Sequence, residues 1–377
     1  MGQLAVKTLH VVNWYPNPLD NIEGHFIKDQ IDALDAFIPT EVLFIQVRYG
    51  RPKLMSYMMS QRERIWIMQV PVKSWFVIEI ISSVALWFFF RFKYDLSKFR
   101  IINFHIAYPI LTYFHLFKKK IKVPLVITEH WSAYHFNFGV SKELKRIKRI
   151  FSHGIPVITV SSSLVHDITR FSSQKLTTFQ LPNVVNQNIF KNVGSTFPPD
   201  LKFFMLACWQ HPKVPLVILE ALNELALGGY SFSLRIGGYG PYEAELRAKI
   251  RSLRLDKYAS FIGKLTFEQA AQEMQNCSFF LHASNYETFS LVCAEALSCG
   301  TPVIASAVGG IPEYLKSDNG ILVLDNSVNA WTLALKKSFK TKFDRRFIAQ
   351  KASMLFSANS VGMHYKRILD GISNDKI

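Results

Sequence analysis

From Cys277 to Leu315 the chain alternates two apolar runs with two helix-like runs, and this order constrains its fold more than any other stretch. CSFFLHASN reads as a buried strand that closes over Leu281 to Asn285. A helix is predicted to open around Thr288 and to run through FSLVCAEALSC to Gly300, a residue suited to ending a helix. Pro302 to Ala305 is a second buried strand. After Gly309-Gly310, Ile311-Pro312-Glu313 starts another helix with proline in its first turn. Strand, turn, helix, turn, strand is half of a parallel α/β crossover, in which loops at the carboxyl ends of the strands gather on one edge and hold ligands.

That order places Glu287 at the strand end, with Thr288 opening the helix. The amides of Phe289, Ser290 and Leu291 then fall in the first turn, where they lack backbone acceptors and favour an anion, most naturally a phosphate. Glu295 lies eight residues beyond Glu287, and that much helical rotation returns it to within roughly 80° of the starting direction. Two carboxylates flanking a phosphate-binding turn suit a ligand with a diphosphate in the middle and hydroxyls at both ends, the shape of a nucleotide sugar. The competing reading is an ordinary buried βαβ unit whose glutamates are merely solvated.

The run E-T-F-S-L-V-C-A-E-A-L-S-C-G-T-P-V-I-A-S-A-V-G-G-I-P-E, with Glu287 and Glu295 separated by seven residues, resembles the signature of the family 4 retaining glycosyltransferases of glycosyltransferase group 1. The resemblance implies the GT-B architecture: two α/β, Rossmann-like domains facing a central cleft, with a C-terminal helix crossing back to the first domain. It implies transfer of a sugar from a nucleotide-diphosphate donor to an acceptor hydroxyl with retention of configuration. Glu287 would hold sugar hydroxyls and Glu295 the ribose. It is strong over residues 181–370 and weaker over 9–183.

The totals are compatible with this. A chain of 377 residues is too long for one comfortable core, and 49% hydrophobic residues can fill two. MGQLAVKTLH leads straight into a strand without a cleavable signal, so a cytoplasmic protein is expected. Cys208, Cys277, Cys293 and Cys299 form no C-x-x-C pair and read as reduced packing residues. No two aspartates stand one residue apart. That removes the Asp-x-Asp clamp of the other common glycosyltransferase architecture and points to metal-independent chemistry; the resemblance implies a hexosyltransferase type with no cofactor beyond the donor.

The net charge of +16 is uneven. Residues 1–183 carry 23 cationic against 12 anionic side chains, a net +11, and the remainder 21 against 16, a net +5. Such an excess suggests that the first half faces an anionic surface, nucleic acid or a phospholipid leaflet. The basic run Arg48 to Lys73, the aromatic-rich WFVIEIISSVALWFFF (Trp75 to Phe90), the lysines from Lys118 to Lys122 and KRIKR at Lys145 to Arg149 favour the leaflet. Sixteen residues interrupted by Glu79 are too few and too polar for a confident span, so an interfacial or core helix is expected.

In chain order, Leu9 to Trp14 is a strand, and the turn-rich loop Pro16 to Gly24 precedes the helix HFIKDQIDALDAF. By the resemblance Gly24 lets backbone approach the donor phosphates. EVLFIQV, IINFH, LVIT and PVITV are further strands, and LVIT ends at Glu129-His130-Trp131. His130 matches a histidine that the family commonly places beside the donor sugar, and an imidazole can change charge near neutral pH. Leu181-Pro182-Asn183-Val184 resembles the interdomain segment. The domains are therefore expected at 1–184, with the returning helix at about 357–377, and at 185–356.

In the second half, Lys213 matches the family's diphosphate-binding lysine, while Cys208 stands where an arginine is usual and Val214 where a glycine is; Gln210 or His211 could share the arginine's work. Gly238 and Gly240 form a tight turn after FSLRIG and are assigned to the donor, and Lys264 and Leu265 are candidate contacts to the base. The expected partners are a nucleotide sugar, a glycan or lipid-linked acceptor and the inner face of an anionic membrane, with no nucleic acid. A nucleotide-sugar epimerase or hydrolase of the same architecture is the alternative enzyme. A non-catalytic basic membrane- or nucleic-acid-binding module explains the charge, but not the paired glutamates.

Overall fold

The computed structural model describes residues 7–139, 144–194 and 200–374. Part of the stretch read as free of a cleavable signal, residues 1–6, lies outside them. The protein divides into two compact units, one holding the chain up to Val184 and again from Ala358, the other Val185–Ser357.

The first unit is built on an eight-stranded sheet of β1 (Lys7–Val12), β2 (Thr40–Tyr49), β3 (Lys53–Met58), β4 (Glu63–Val70), β5 (Phe99–His105), β6 (Leu125–Glu129), β7 (Val157–Thr159) and β8 (Thr178–Gln180). Their spatial order is β3-β4-β2-β1-β5-β6-β7-β8, and β3 against β4 is the one antiparallel pair among the described residues. Continuous apolar runs such as LHVV and RIINF suit parallel strands covered on both faces. Helices α1 (His25–Asp35), α2 (Trp75–Phe92), α3 (Lys145–Phe151) and α4 (Ser162–Ser172) belong to this unit.

The hairpin β3–β4 was not among the expected strands. Of the cations in this basic run only Lys53 lies on the edge strand β3, while Arg48 and Arg64 lie on β2 and β4 and Arg51, Arg62 and Lys73 in the connections. The helix α2 is 18 residues long rather than 16. Ile78, Ser82, Ala85, Leu86 and Phe90 face the core, with Glu79, while Phe76, Ile80, Val84, Trp87, Phe88 and Phe92 recur at helical spacing on an exposed face.

The chain returns to this unit through a terminal helix, Ala358–Asn374. Its Val361, Tyr365, Ile368 and Leu369 pack with Leu34 and Ile101. The Asn103 amide donates to the Tyr365 hydroxyl, and Arg100 pairs with Asp370 at 2.7 Å. At Gly362 the helix comes so close to α1 that a Cβ would sit 2.1 Å from the Ala33 carbonyl oxygen.

The second unit alternates strand and helix: β9 (Lys202–Cys208), α5 (Leu216–Leu227), β10 (Ser233–Tyr239), α6 (Glu243–Ser252), β11 (Ala259–Gly263), α7 (Phe267–Asn276), β12 (Phe279–His282), α8 (Leu291–Ser298), β13 (Val303–Ser306), α9 (Ile311–Tyr314), β14 (Gly320–Val323), then α10 (Val328–Ser338) and α11 (Arg345–Phe356). The six strands are parallel in the order β11-β10-β9-β12-β13-β14. The chain therefore leaves β9 in one direction and resumes at β12 in the other. In such sheets the crevice outside the carboxyl ends of those two strands is where ligands bind.

Candidate active site

The segments after β9 and β12 are joined at that switch point. Val214 N donates to the Ala283 carbonyl at 3.1 Å and Asn285 N to the Pro212 carbonyl at 2.9 Å. This short pairing carries Lys213 to Glu287: Lys213 Nζ lies 2.7 Å from Glu287 Oε1, and His282 Nε2 reaches the same oxygen at 2.7 Å. All three side chains are largely buried. Burial alone would push the Glu287 carboxyl up, but His282 and then Lys213 outweigh it and hold its pKa at about 2. Glu287 is thus a carboxylate at any physiological pH. Both contacts converge on Oε1, so among the described residues Oε2 has no hydrogen-bond partner and can accept from a hydroxyl.

The loop that holds Glu287 is built by residues far along the chain. Gly309 has φ +56°, and a Cβ there would fall 1.5 Å from the Glu287 carbonyl oxygen, which also accepts from Gly310 N at 3.3 Å. Ser306 Oγ accepts from Ser284 N, and Asn326 Nδ2 donates to the Ser284 carbonyl and to Asn285 Oδ1. The buried hydroxyl of Tyr314 donates to the carbonyls of Phe289 and Ser290, at 2.8 and 3.0 Å.

The helix begins later than expected, at Leu291 rather than near Thr288. Ser290 is its cap, in the left-handed region at φ +67°. Thr288, Phe289 and Ser290 therefore form the loop before the helix, and the first-turn amides begin at Leu291 instead of Phe289. Two carbonyls satisfied by Tyr314 pin this left-handed turn, an arrangement that costs energy at a non-glycine residue and persists only when its surroundings fix it. Glu295 is buried in the second turn of α8.

Gly238 and Gly240 lie at the end of β10, beside β9, where the backbones touch. A Cβ would come within 2.0 Å of the Ala207 carbonyl at Gly238 and 2.6 Å of the Trp209 carbonyl at Gly240. Cys208 is exposed at the end of β9. Lys264 Nζ sits over the Tyr239 ring at 5.1 Å, and Leu265 packs at Gly237, so both lie beside the same strand end.

The remaining expected residues are in the first unit. Gly24 caps α1 at φ +63°, and a Cβ there would meet the Trp14 carbonyl at 2.4 Å, so the loop rests on the end of β1. His130 follows β6, stacked on His105 at 5.9 Å and against Phe26 at 4.9 Å. Burial lowers its pKa to about 3, with Asn183 alongside opposing the shift. The expectation that His130 changes charge near neutral pH is therefore corrected: burial keeps the ring neutral there. Next to it Glu129 accepts from Ala107 N and the Tyr134 hydroxyl, and burial raises its carboxyl to about 7.

His282 was missed in the sequence because a histidine inside FFLHA reads as a core residue. The signal available was its place at the last position of a strand, five residues before Glu287.

Two Rossmann-like units, each built on a largely parallel sheet, have the GT-B fold. Residues 187–353, most of the second unit, match the family model of glycosyl transferases group 1. An uncharacterized glycosyltransferase of Methanocaldococcus jannaschii is 25% identical over 231 residues, 61% of this chain and 62% of that protein. A phosphatidylinositol N-acetylglucosaminyltransferase subunit of Arabidopsis thaliana is 23% identical over 230 residues, 60% of this chain and 51% of the relative. The chain thus spans between half and two thirds of these relatives. Anabaena HepE, solved in complex with UDP and glucose, superposes with a TM-score of 0.70 at 15% identity, covering 97% of this chain and 99% of that one.

Proposed function

We propose that this chain moves a sugar, of hexose type, from a nucleoside-diphosphate donor to a hydroxyl of a membrane-borne acceptor. The transfer proceeds in the retaining, metal-independent manner of family 4. The observation that carries this reading is the meeting of Lys213, Glu287 and His282 at the β9/β12 switch point. The hard step in such a reaction is stabilising charge on the departing diphosphate, and a preorganised cation beside a helix start supplies that. Lys213 binds the diphosphate, Glu287 Oε2 accepts from sugar hydroxyls while His282 and Lys213 hold its other oxygen, and Glu295 serves the ribose. In the first unit, neutral His130 hydrogen-bonds an acceptor hydroxyl. The UDP and glucose held by HepE, and the phosphatidylinositol in the plant relative's name, support a nucleotide sugar and a lipid as substrates.

The first unit docks on the anionic inner leaflet through α2. The helix is long and apolar enough to cross a membrane, yet a third of it is buried inside the protein, which suits lying in the interface. Cations ring its exposed stripe: Arg146 over Phe76, Arg91 over Phe92 and Lys93 over Phe88. Transfer is separated from epimerisation and hydrolysis by following free nucleoside diphosphate. Release only when a lipid-linked acceptor is added is the expected result, and release in its absence would favour a hydrolase.

A further inference from the structure

Two concavities in the first unit lie along α2, the first against Tyr108 and residues 131–139 and 144–147, the second against residues 113–120. The first, of about 660 Å³, lies at the start of α2 and is walled by the rings of Trp75, Tyr108, Trp131, Phe136 and Phe138. Its polar groups are few. Glu79, on the inward face of α2 and 3% exposed, accepts from the Tyr108 hydroxyl at 3.1 Å and from Arg146 Nε at 2.9 Å. The Arg146 side chain is half exposed, and its terminal nitrogens have no partner among the described residues. Aromatic walls with the guanidinium of Arg146 and the side chain of Lys145 in the lining suit a ring-bearing ligand with an anionic group.

The second, of about 450 Å³, continues along the next two turns of the helix and is lined by Ile80, Val84, Trp87, Tyr113, Leu116 and Phe117. Ser83 also lines it, but its hydroxyl already donates to the Ile110 carbonyl and accepts from Tyr113 N. Lys120 stands at the rim, in the short turn Lys118–Lys120. The groove is otherwise apolar and open to water, with Leu116 72% and Val84 56% exposed. Trp75 and Glu79 of the cavity and Ile80 and Ser83 of the groove lie within little more than two turns of one helix, which brings the two concavities to adjacent turns.

We propose that the two form one site for an amphiphile: a phosphate-bearing, hydroxyl-rich head in the aromatic cavity, anchored on Arg146, and one hydrocarbon chain in the groove, with Lys120 beside it. Charge complementarity selects the occupant: among the described lining residues the cations Lys145, Arg146 and Lys120 outnumber the one acid, Glu79, which is paired with Arg146. The inference rests on the proposed transfer to a membrane-borne acceptor and names that acceptor as a lipid phosphate whose tail enters the protein instead of remaining in the bilayer.

The test is calorimetric titration of the full chain with dodecyl phosphate below its critical micelle concentration, against butyl phosphate. Dodecyl phosphate should bind at least about tenfold more tightly, each buried methylene adding to affinity. Val84→Trp fills the groove but keeps its face apolar. It should lose about that factor for dodecyl phosphate while butyl phosphate binding stays unchanged. Arg146→Gln should weaken both alkyl phosphates, and Val84→Trp, at an exposed position, carries the test if that variant does not fold. Equal affinity for the two chain lengths, or an unchanged dodecyl phosphate affinity in Val84→Trp, overturns the site. Nucleoside-diphosphate binding measured in parallel separates the readings: its loss with chain-length dependence intact would sink the transfer reaction and leave the amphiphile site standing.

Discussion

Lys213 is the residue on which the proposed chemistry most depends, because it supplies the positive charge that reaches the switch point from β9. Replacing it with alanine removes a charge-assisted contact, so nucleoside-diphosphate affinity should fall by about 1.5–3 kcal/mol in a calorimetric titration; an unchanged affinity would show that the lysine serves only Glu287. Glu287→Gln keeps the shape and loses the charge, so activity should collapse while the chain stays folded. The same variant has a signature in acid. The folded-state pKa of Glu287 lies at about 2, below its ordinary value, so its stabilising effect is full above that ordinary value and is lost as pH falls toward 2. Thermal melts should therefore show wild type more stable than Glu287→Gln at pH 6, with the gap closing as pH falls toward 3. A constant gap would mean that the ion pair with Lys213 and His282 does not set the difference.

At the scale of elements, what could be read from the sequence followed from patterns with a physical period. The alternating apolar and helical runs gave both parallel sheets, and Glu287 was placed beside its strand end. The start of α8 was misplaced by three residues because nothing local announces that Ser290 adopts a left-handed conformation, which depends on Tyr314, more than twenty residues on. The hairpin β3–β4 was obscured by its charges, although Glu63, Ile65 and Ile67 alternate inward as a strand requires. His282 was hidden because burial, not sequence, converts a core histidine into a carboxylate partner. Gly309 showed only as a turn residue, yet its backbone contact with Glu287 is closer than any side chain allows. Gly309→Ala should lower stability by at least ~1 kcal/mol and abolish nucleotide binding; a variant with normal melting and normal binding would remove the loop from the site. The exposed stripe of α2 belongs to this scale too. Phe88→Glu with Phe92→Glu should eliminate sedimentation with anionic vesicles and leave nucleotide binding intact, whereas undiminished sedimentation would place the membrane contact elsewhere.

For the whole molecule, the proposed function gives the cationic excess of the first half the task of meeting a membrane-borne acceptor and the switch-point site of the second that of holding an activated sugar. Vesicle binding should need anionic lipid and weaken with salt, since each cation near a leaflet contributes about 1 kcal/mol within a Debye length. Charge reversal at Lys145, Lys148 and Arg149 should weaken it further, and equal failure to bind neutral and anionic vesicles would point to a soluble acceptor. The central claim, that the second unit binds a nucleoside-diphosphate sugar through Lys213, is tested most directly by thermal melts of wild type and Lys213→Ala across a panel of nucleoside diphosphates and their sugars. One base should raise the melting temperature of the wild type and fail to raise that of the variant; stabilisation by none of them, or equally in both proteins, would contradict it.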